Sequence, residues 1–282
     1  MRTAKFCHGF AFRLQIATFC MLAVILGTAS SAQVPAATPA PDIVVQGERE
    51  QALQAFVASM TNPDRSRQLA RWSGRVCPTV IGIDPTQASE MATRISDIAA
   101  TLHLRPKAKG CLTTMLIIVD NDASGVAASL AQRFPISLRK DGQGRLNRFV
   151  ASKRPVRWLS VTNRCGFGGC FLSNSRLHHA ESPAFQAVIV LVDGQQIGKL
   201  SLAALSDYVA LVALANPPFG KTWPSTSIMS VFDRQSPDGT PARLSEKDMA
   251  FLKGLYASRA DGLGQSQRSS IVARMKKELP RN

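Results

Sequence analysis

The residues able to do chemistry in this 282-residue chain are few, and they fall into three groups. The first is six cysteines, of which Cys7 and Cys20 sit in an apolar N-terminal segment and Cys77, Cys111, Cys165 and Cys170 lie beyond it. The second is histidine: past that segment only His103, His178 and His179 remain. His178-His179-Ala180-Glu181 is the one local cluster with metal-ligand chemistry. Adjacent side chains diverge on a strand and do not share a helical face, so His178 and His179 would need Glu181 or His103 to complete a site. Otherwise they belong to a polar loop. The third group is basic. Arg133, Arg139, Lys140, Arg145, Arg148, Lys153, Arg154 and Arg157 crowd one stretch, and Arg268, Arg274, Lys276, Lys277 and Arg281 crowd the C-terminus. Phosphate or carboxylate partners would be steered to such clusters by a salt-sensitive attraction, whereas charge that only solvates a surface would not select a partner. Nucleophilic chemistry is poorly supplied. There is no G-x-S-x-G elbow, no phosphate-cradling glycine loop and no dinucleotide fingerprint, and no cofactor is expected.

Thirty-four Lys and Arg against nineteen Asp and Glu give a net charge of +15, with 45% apolar and 19% charged residues. That balance excludes a disordered or fibrous chain and favours anionic partners without choosing among them. With aromatics at 6%, stacking on nucleic-acid bases has little support, and no specific nucleic-acid partner is expected. Residues 1–32 read as an export signal. Arg2, Lys5 and Arg13 precede an apolar run from Leu14 to Leu26, and Thr28-Ala-Ser-Ser-Ala32 offers small residues for cleavage. The apolar run is short for a bilayer span of roughly 20 residues, and no later segment is long enough, so no span is expected after cleavage. The expected address is the periplasm or the extracellular space. Four remaining cysteines in an exported chain point to disulfides. Three pairings are open, of which Cys77–Cys111 with Cys165–Cys170 is favoured, the second closing a tight glycine-rich loop. A four-thiolate zinc site usually presents two close pairs, and only one exists here.

These groups need elements to position them. A Pro/Ala-rich tether is expected over 33–47, then one α/β domain over 48–258 and a basic tail over 259–282. Leu53, Phe56, Val57 and Met60 recur with helical spacing. A strand is expected near Val76–Ile83, a helix over Thr86–Leu104, a buried strand over Thr114–Asp120 and a short helix near Ser124–Phe134. A polar, basic stretch leads to strands at Pro155–Thr162 and Phe185–Val192. A very apolar helix over Ser201–Ala215 follows, stopped by Pro217-Pro218, and Ser245 with Asp248 opens a last core helix in capping-box fashion. Strands alternating with helices give an α/β to α+β class, a mixed sheet packed by helices.

The order of apolar strand, buried helix, loop, Ser227-Ile228-Met229 and then a Leu244-Ser-x-x-Asp248 helix ending in Leu255-Tyr256 resembles the catalytic half of metzincin-type zinc metallopeptidases, over residues 185–256. The resemblance implies a zincin-like core with 201–215 as the former active-site helix and Met229 in the methionine turn. In that family the helix carries H-E-x-x-H-x-x-G-x-x-H. Here Ser206, Ala210 and Asn216 stand at the histidine positions and Asp207 at the glutamate position. Serine and alanine cannot hold zinc as imidazole does, and asparagine is a poor ligand. The expectation is therefore an exported protein without catalytic residues. It would bind an anionic envelope component or a protein through Arg139, Lys140, Arg145, Arg148, Lys153 and Arg154. The competing expectation is a secreted hydrolase using displaced ligands such as His178, His179 and Glu181.

Overall fold

The computed structural model describes residues 41–105, 110–133, 139–165, 181–198, 200–233 and 242–280. The expected export signal, Cys170, His178 and His179 lie outside the described residues. Helix α1 (Pro41–Met60) begins inside the segment read as a tether. Its Leu53, Phe56, Val57 and Met60 are buried as their spacing requires. Then follow β1 (Pro78–Ile81), α2 (Pro85–Thr101), β2 (Met115–Asp120), α3 (Ala123–Arg133), α4 (Arg139–Ala151), β3 (Val156–Asn163) and β4 (Ala184–Asp193). The last elements are α5 (Leu202–Ala215), a 3-10 turn (Ile228–Phe232), α6 (Glu246–Ala257) and α7 (Gly264–Glu278). The class is mixed α/β.

The four described strands form one sheet in the order β1-β2-β4-β3. β1, β2 and β4 are parallel, and β3 runs antiparallel to β4 along the edge. Alternation along the strands splits the core in two. Met115, Ile117 and Val119 of β2, Val188, Val190 and Val192 of β4 and Trp158 of β3 face α1, α2, α5 and α6. Ile118, Leu159 and Leu191 face the other way, onto Ala123 and Ala127 of α3 and Leu146 and Phe149 of α4. Because both faces are covered, the central strands read as unbroken apolar runs.

The helix starts follow ordinary capping chemistry. Asp84 accepts from the Thr86 and Gln87 amides ahead of Pro85 in α2, Ser201 accepts from Ala204 N in α5, and Ser245 with Asp248 completes a capping box on α6. Residues 259–282, read as a basic tail, carry α7, whose Ile271, Val272 and Met275 are buried. Its Arg268 is buried too, and it donates to the carbonyls of Asn62, Asp64, Arg65, Arg67 and Gly264. A Cβ at Gly264 would lie 2.3 Å from Arg67 O, so only glycine lets the chain after α1 come this close.

Cys77 and Cys111 are bonded, clamping the unit β1-α2-β2 across a sequence separation of 34. Cys165 is also disulfide-bonded, to a partner outside the described residues. Closing a loop of that length stabilises mainly by restricting the unfolded chain, by about 2–4 kcal/mol. The double variant Cys77→Ala/Cys111→Ala should therefore lose about 3 kcal/mol in urea denaturation. A midpoint equal to that of the oxidised wild type would show that the crosslink adds nothing.

Candidate functional site

Helix α5 is where the resemblance places chemistry, and it is buried on every side from Ala204 to Leu214. Its sequence, LAALSDYVALVALA, has no polar stripe to present to solvent. The side chains at the four aligned positions all have structural work. Ser206 is buried, and its hydroxyl donates to Leu202 O of its own helix at 2.6 Å. Ala210 is packed in the core. Asn216 follows the last helical residue with φ 49°, in the left-handed conformation that ends helices, and its amide donates to Val212 O. Asp207 is fully buried. Its Oδ1 accepts from Arg94 Nε at 2.6 Å, and its Oδ2 accepts from Arg94 Nη2 at 3.1 Å, Arg243 Nε at 3.0 Å and Leu244 N at 2.8 Å.

The charge on Asp207 is set by two opposed effects. Burial pushes the carboxyl up, but donation from Arg94, the Leu244 amide and Arg243 outweighs it, so the carboxyl sits below the ordinary aspartate range. The group stays ionised and saturated with donors. A general base must instead have a lone pair within reach of a substrate or water proton.

Met229 is buried in the 3-10 turn beside α5, where the Phe232 ring meets Tyr208 edge-on at 5.0 Å. The turn hangs on a second buried carboxylate. Asp248 accepts from Ser227 Oγ at 2.5 Å, Ile228 N at 2.9 Å and Ser245 N at 3.1 Å, joining the turn to the start of α6. Here burial dominates those donors and holds the Asp248 carboxyl above its usual range.

The C-terminal end of α5 meets the place where β3 ends and β4 begins. Its last carbonyls are taken by aromatic donors. Trp72 Nε1 donates to Ala213 O, Tyr256 Oη to Leu214 O, and Trp158 Nε1 to Pro217 O just beyond. Beside this end lies a groove of about 810 Å³, walled by the chain after α1, the outer side of β3 and α4. Among the described residues four arginines line it, Arg67, Arg145, Arg148 and Arg164, against a single acid, Glu181. Ser160 of β3 is also in the wall, buried, with a hydroxyl that has no hydrogen-bond partner among the described residues.

The structure thus brings together only part of the basic cluster. Arg145 and Arg148 reach the groove, one helical turn apart on α4. Arg154 instead pairs with Asp233 at 3.4 Å, and Lys153 is exposed. The side chains of Arg139 and Lys140 lie outside the described residues. Glu181 pairs with Arg164 at 3.2 Å. Among the described residues no three His, Cys, Asp or Glu side chains stand close enough to share a metal ion, and no helix is long and apolar enough to cross a membrane. Compared with protein-family models, with curated proteins and with solved structures, the chain matches none.

Sequence reasoning missed Arg94 and Arg243 as the partners of Asp207. A signal for some such partner was present, because an aspartate inside an eleven-residue buried run must be paired. Asp207→Asn should cost about 2–3 kcal/mol, below the usual loss for a broken buried pair because the released arginines reach water. The pH dependence follows from the depressed carboxyl. Its contribution is complete above the unfolded aspartate value near 3.9 and is lost as pH falls through the folded value. Chemical denaturation across the acid range should therefore show the gap between wild type and Asp207→Asn closing below about pH 4. A constant gap would mean that the lost charge is not what destabilises the variant.

Proposed function

We propose that this is an exported, non-catalytic binding protein built on a zincin-like core, and that its ligand is an anionic envelope component or protein met by its basic surface. The reading is carried by one observation. The carboxylate at the position of the metallopeptidase base, Asp207, is fully buried, and both its oxygens are engaged by Arg94, Arg243 and the Leu244 amide. Hydrolysis through a zinc-bound water needs three protein ligands and a base open to that water. Ser206, Ala210 and Asn216 supply no such ligand set, and Asp207 has no open face.

The succession of β4, α5, the 3-10 turn bearing Met229, and α6 supports the zincin-like part of the reading. Fold alone does not confer activity, so the reading rests on the residues at the ligand positions rather than on the order of elements. Binding is supported by the surplus of basic charge and by Arg145 and Arg148 standing together on α4.

Two measurements on protein purified from an oxidising compartment without chelator test this. Zinc should be well below one per chain, with an unchanged fold after chelation. Association with an immobilised polyanion should weaken steeply with added salt, as screening of exposed charge requires. One tightly held zinc per chain would overturn the non-catalytic reading, and a flat salt profile would overturn the electrostatic one.

A further inference from the structure

The geometry points to the arginine-lined groove at the C-terminal end of α5 as a binding site for an acidic polysaccharide segment, one carrying carboxylate or phosphate groups along a hydroxyl-bearing chain. The inference rests on the reading of the protein as an anion-binding one and names the place and the ligand class. Four features carry it.

The first is charge. Arg67, Arg145, Arg148 and Arg164 come from three stretches of chain, Arg145 and Arg148 sharing α4, and converge on one concavity where Glu181 is the one acid among the described lining residues. Arg67 and Arg164 already have exposed acidic partners, Asp64 and Glu181. Arg148 is exposed and makes no ion pair among the described residues, so its guanidinium is available to a bidentate oxyanion.

The second is the Ser160 hydroxyl. Ser160 is 1% exposed and lines the groove, and its Oγ has no hydrogen-bond partner among the described residues. A buried hydroxyl left unmade is costly, so the free protein carries a penalty that a hydrogen-bonding ligand would relieve.

The third is the remaining polar lining. Thr162, Asn163 and Asn216 line the same space, and no hydrogen bond from their side chains to another described residue is formed. Hydroxyl and amide groups beside arginines match a ligand that alternates hydroxyls with anionic groups.

The fourth is shape. The site is a concavity of about 810 Å³, whereas a lipid surface is met by a convex or flat face with protruding apolar side chains. Among the described residues the exposed large hydrophobics, Ile81 and Leu112, belong to β1 and the approach to β2, and neither lines the groove.

The test uses the mature chain and follows binding by calorimetry. The probes are a short oligogalacturonate, a mannose-phosphate oligomer, poly-glutamate and vesicles containing anionic phospholipid. Oligogalacturonate, the phosphate oligomer or both should bind one per chain, more tightly than poly-glutamate or vesicles, and the two glycan arms tell carboxylate from phosphate recognition. Arg148→Glu should weaken that binding about tenfold, whereas Lys277→Glu, the same charge change on α7 outside the groove, should leave it within twofold. Ser160→Ala should weaken binding several-fold while leaving the free protein as stable or more so, opposite signs that a purely structural serine would not give. Equal losses from Arg148→Glu and Lys277→Glu would overturn the groove while leaving the anion-binding reading in place. Preference for poly-glutamate or vesicles would overturn the ligand class. Failure of all four probes to bind would overturn the anion-binding reading itself.

Discussion

A full negative charge sits in the most apolar of the described helices, and the arrangement around α5 follows from the need to keep that charge paired. Asp207 has no solvent exposure, and α5 carries no basic residue to answer it. In a medium of low polarity an isolated carboxylate would cost far more than the few kcal/mol by which a domain is stable, so partners must come from elsewhere in the chain. They come from α2, through Arg94, and from the segment entering α6, through Arg243 and the Leu244 amide. One side chain thereby sets how α2 lies against α5 and where α6 begins. A well-packed apolar residue could give similar stability, since buried ion pairs often do no better than hydrophobic replacements. What it could not give is the same angular definition, because an apolar contact has no direction and a bidentate guanidinium does.

The same logic sorts the basic residues, whose surplus alone says little about where a ligand sits. Arg71 is buried and donates to the Leu255 and Ser258 carbonyls at the end of α6, and burial pushes its guanidinium down to about 10. Arg268 gathers five carbonyls around the chain after α1. Arg94 and Arg243 serve Asp207. These four positive charges act as internal fasteners, chosen because a planar guanidinium can satisfy several oxygens at once. Arg148 has no such employment among the described residues, and that difference, visible only in three dimensions, separates a charge that builds the fold from one available to a partner.

Much of the architecture was legible in the sequence, wherever a local rule sufficed. The parallel unit β1-α2-β2 and its disulfide followed from apolar runs and cysteine spacing, α5 from its composition, and the start of α6 from Ser245 and Asp248. Helix α4 was not legible. Asp141, Gly142 and Gly144 weaken its helical signal, and its mean hydropathy is low, so the buried pair Leu146 and Phe149 was too little against a basic background. The site was less legible still. The position of Asp207 marked a buried charge, but its partners lie 113 and 36 residues away, and no spacing rule picks them from thirty-four basic residues. Asp248 announced itself as a cap, while its second role of holding the Met229 turn depends on an approach that no local pattern encodes.

The end of α5 links the fold to the groove. A helix C-terminus presents unpaired carbonyls and a partial negative charge, which would repel an anion brought near it. Three features of this sequence remove that obstacle. Asn216 turns the chain out of the helix in the left-handed conformation, and Pro217-Pro218 cannot continue it. Trp72 and Tyr256 then occupy the Ala213 and Leu214 carbonyls, and Trp158 occupies that of Pro217. Trp158 is held in turn by stacking on Phe219 at 4.3 Å. With the Val212, Ala213 and Leu214 carbonyls already paired, an anion beside the helix end meets fewer open oxygens, and Arg145 and Arg148 line the same groove. Asn216, which ends the helix, thus also lines the concavity that the arginines share.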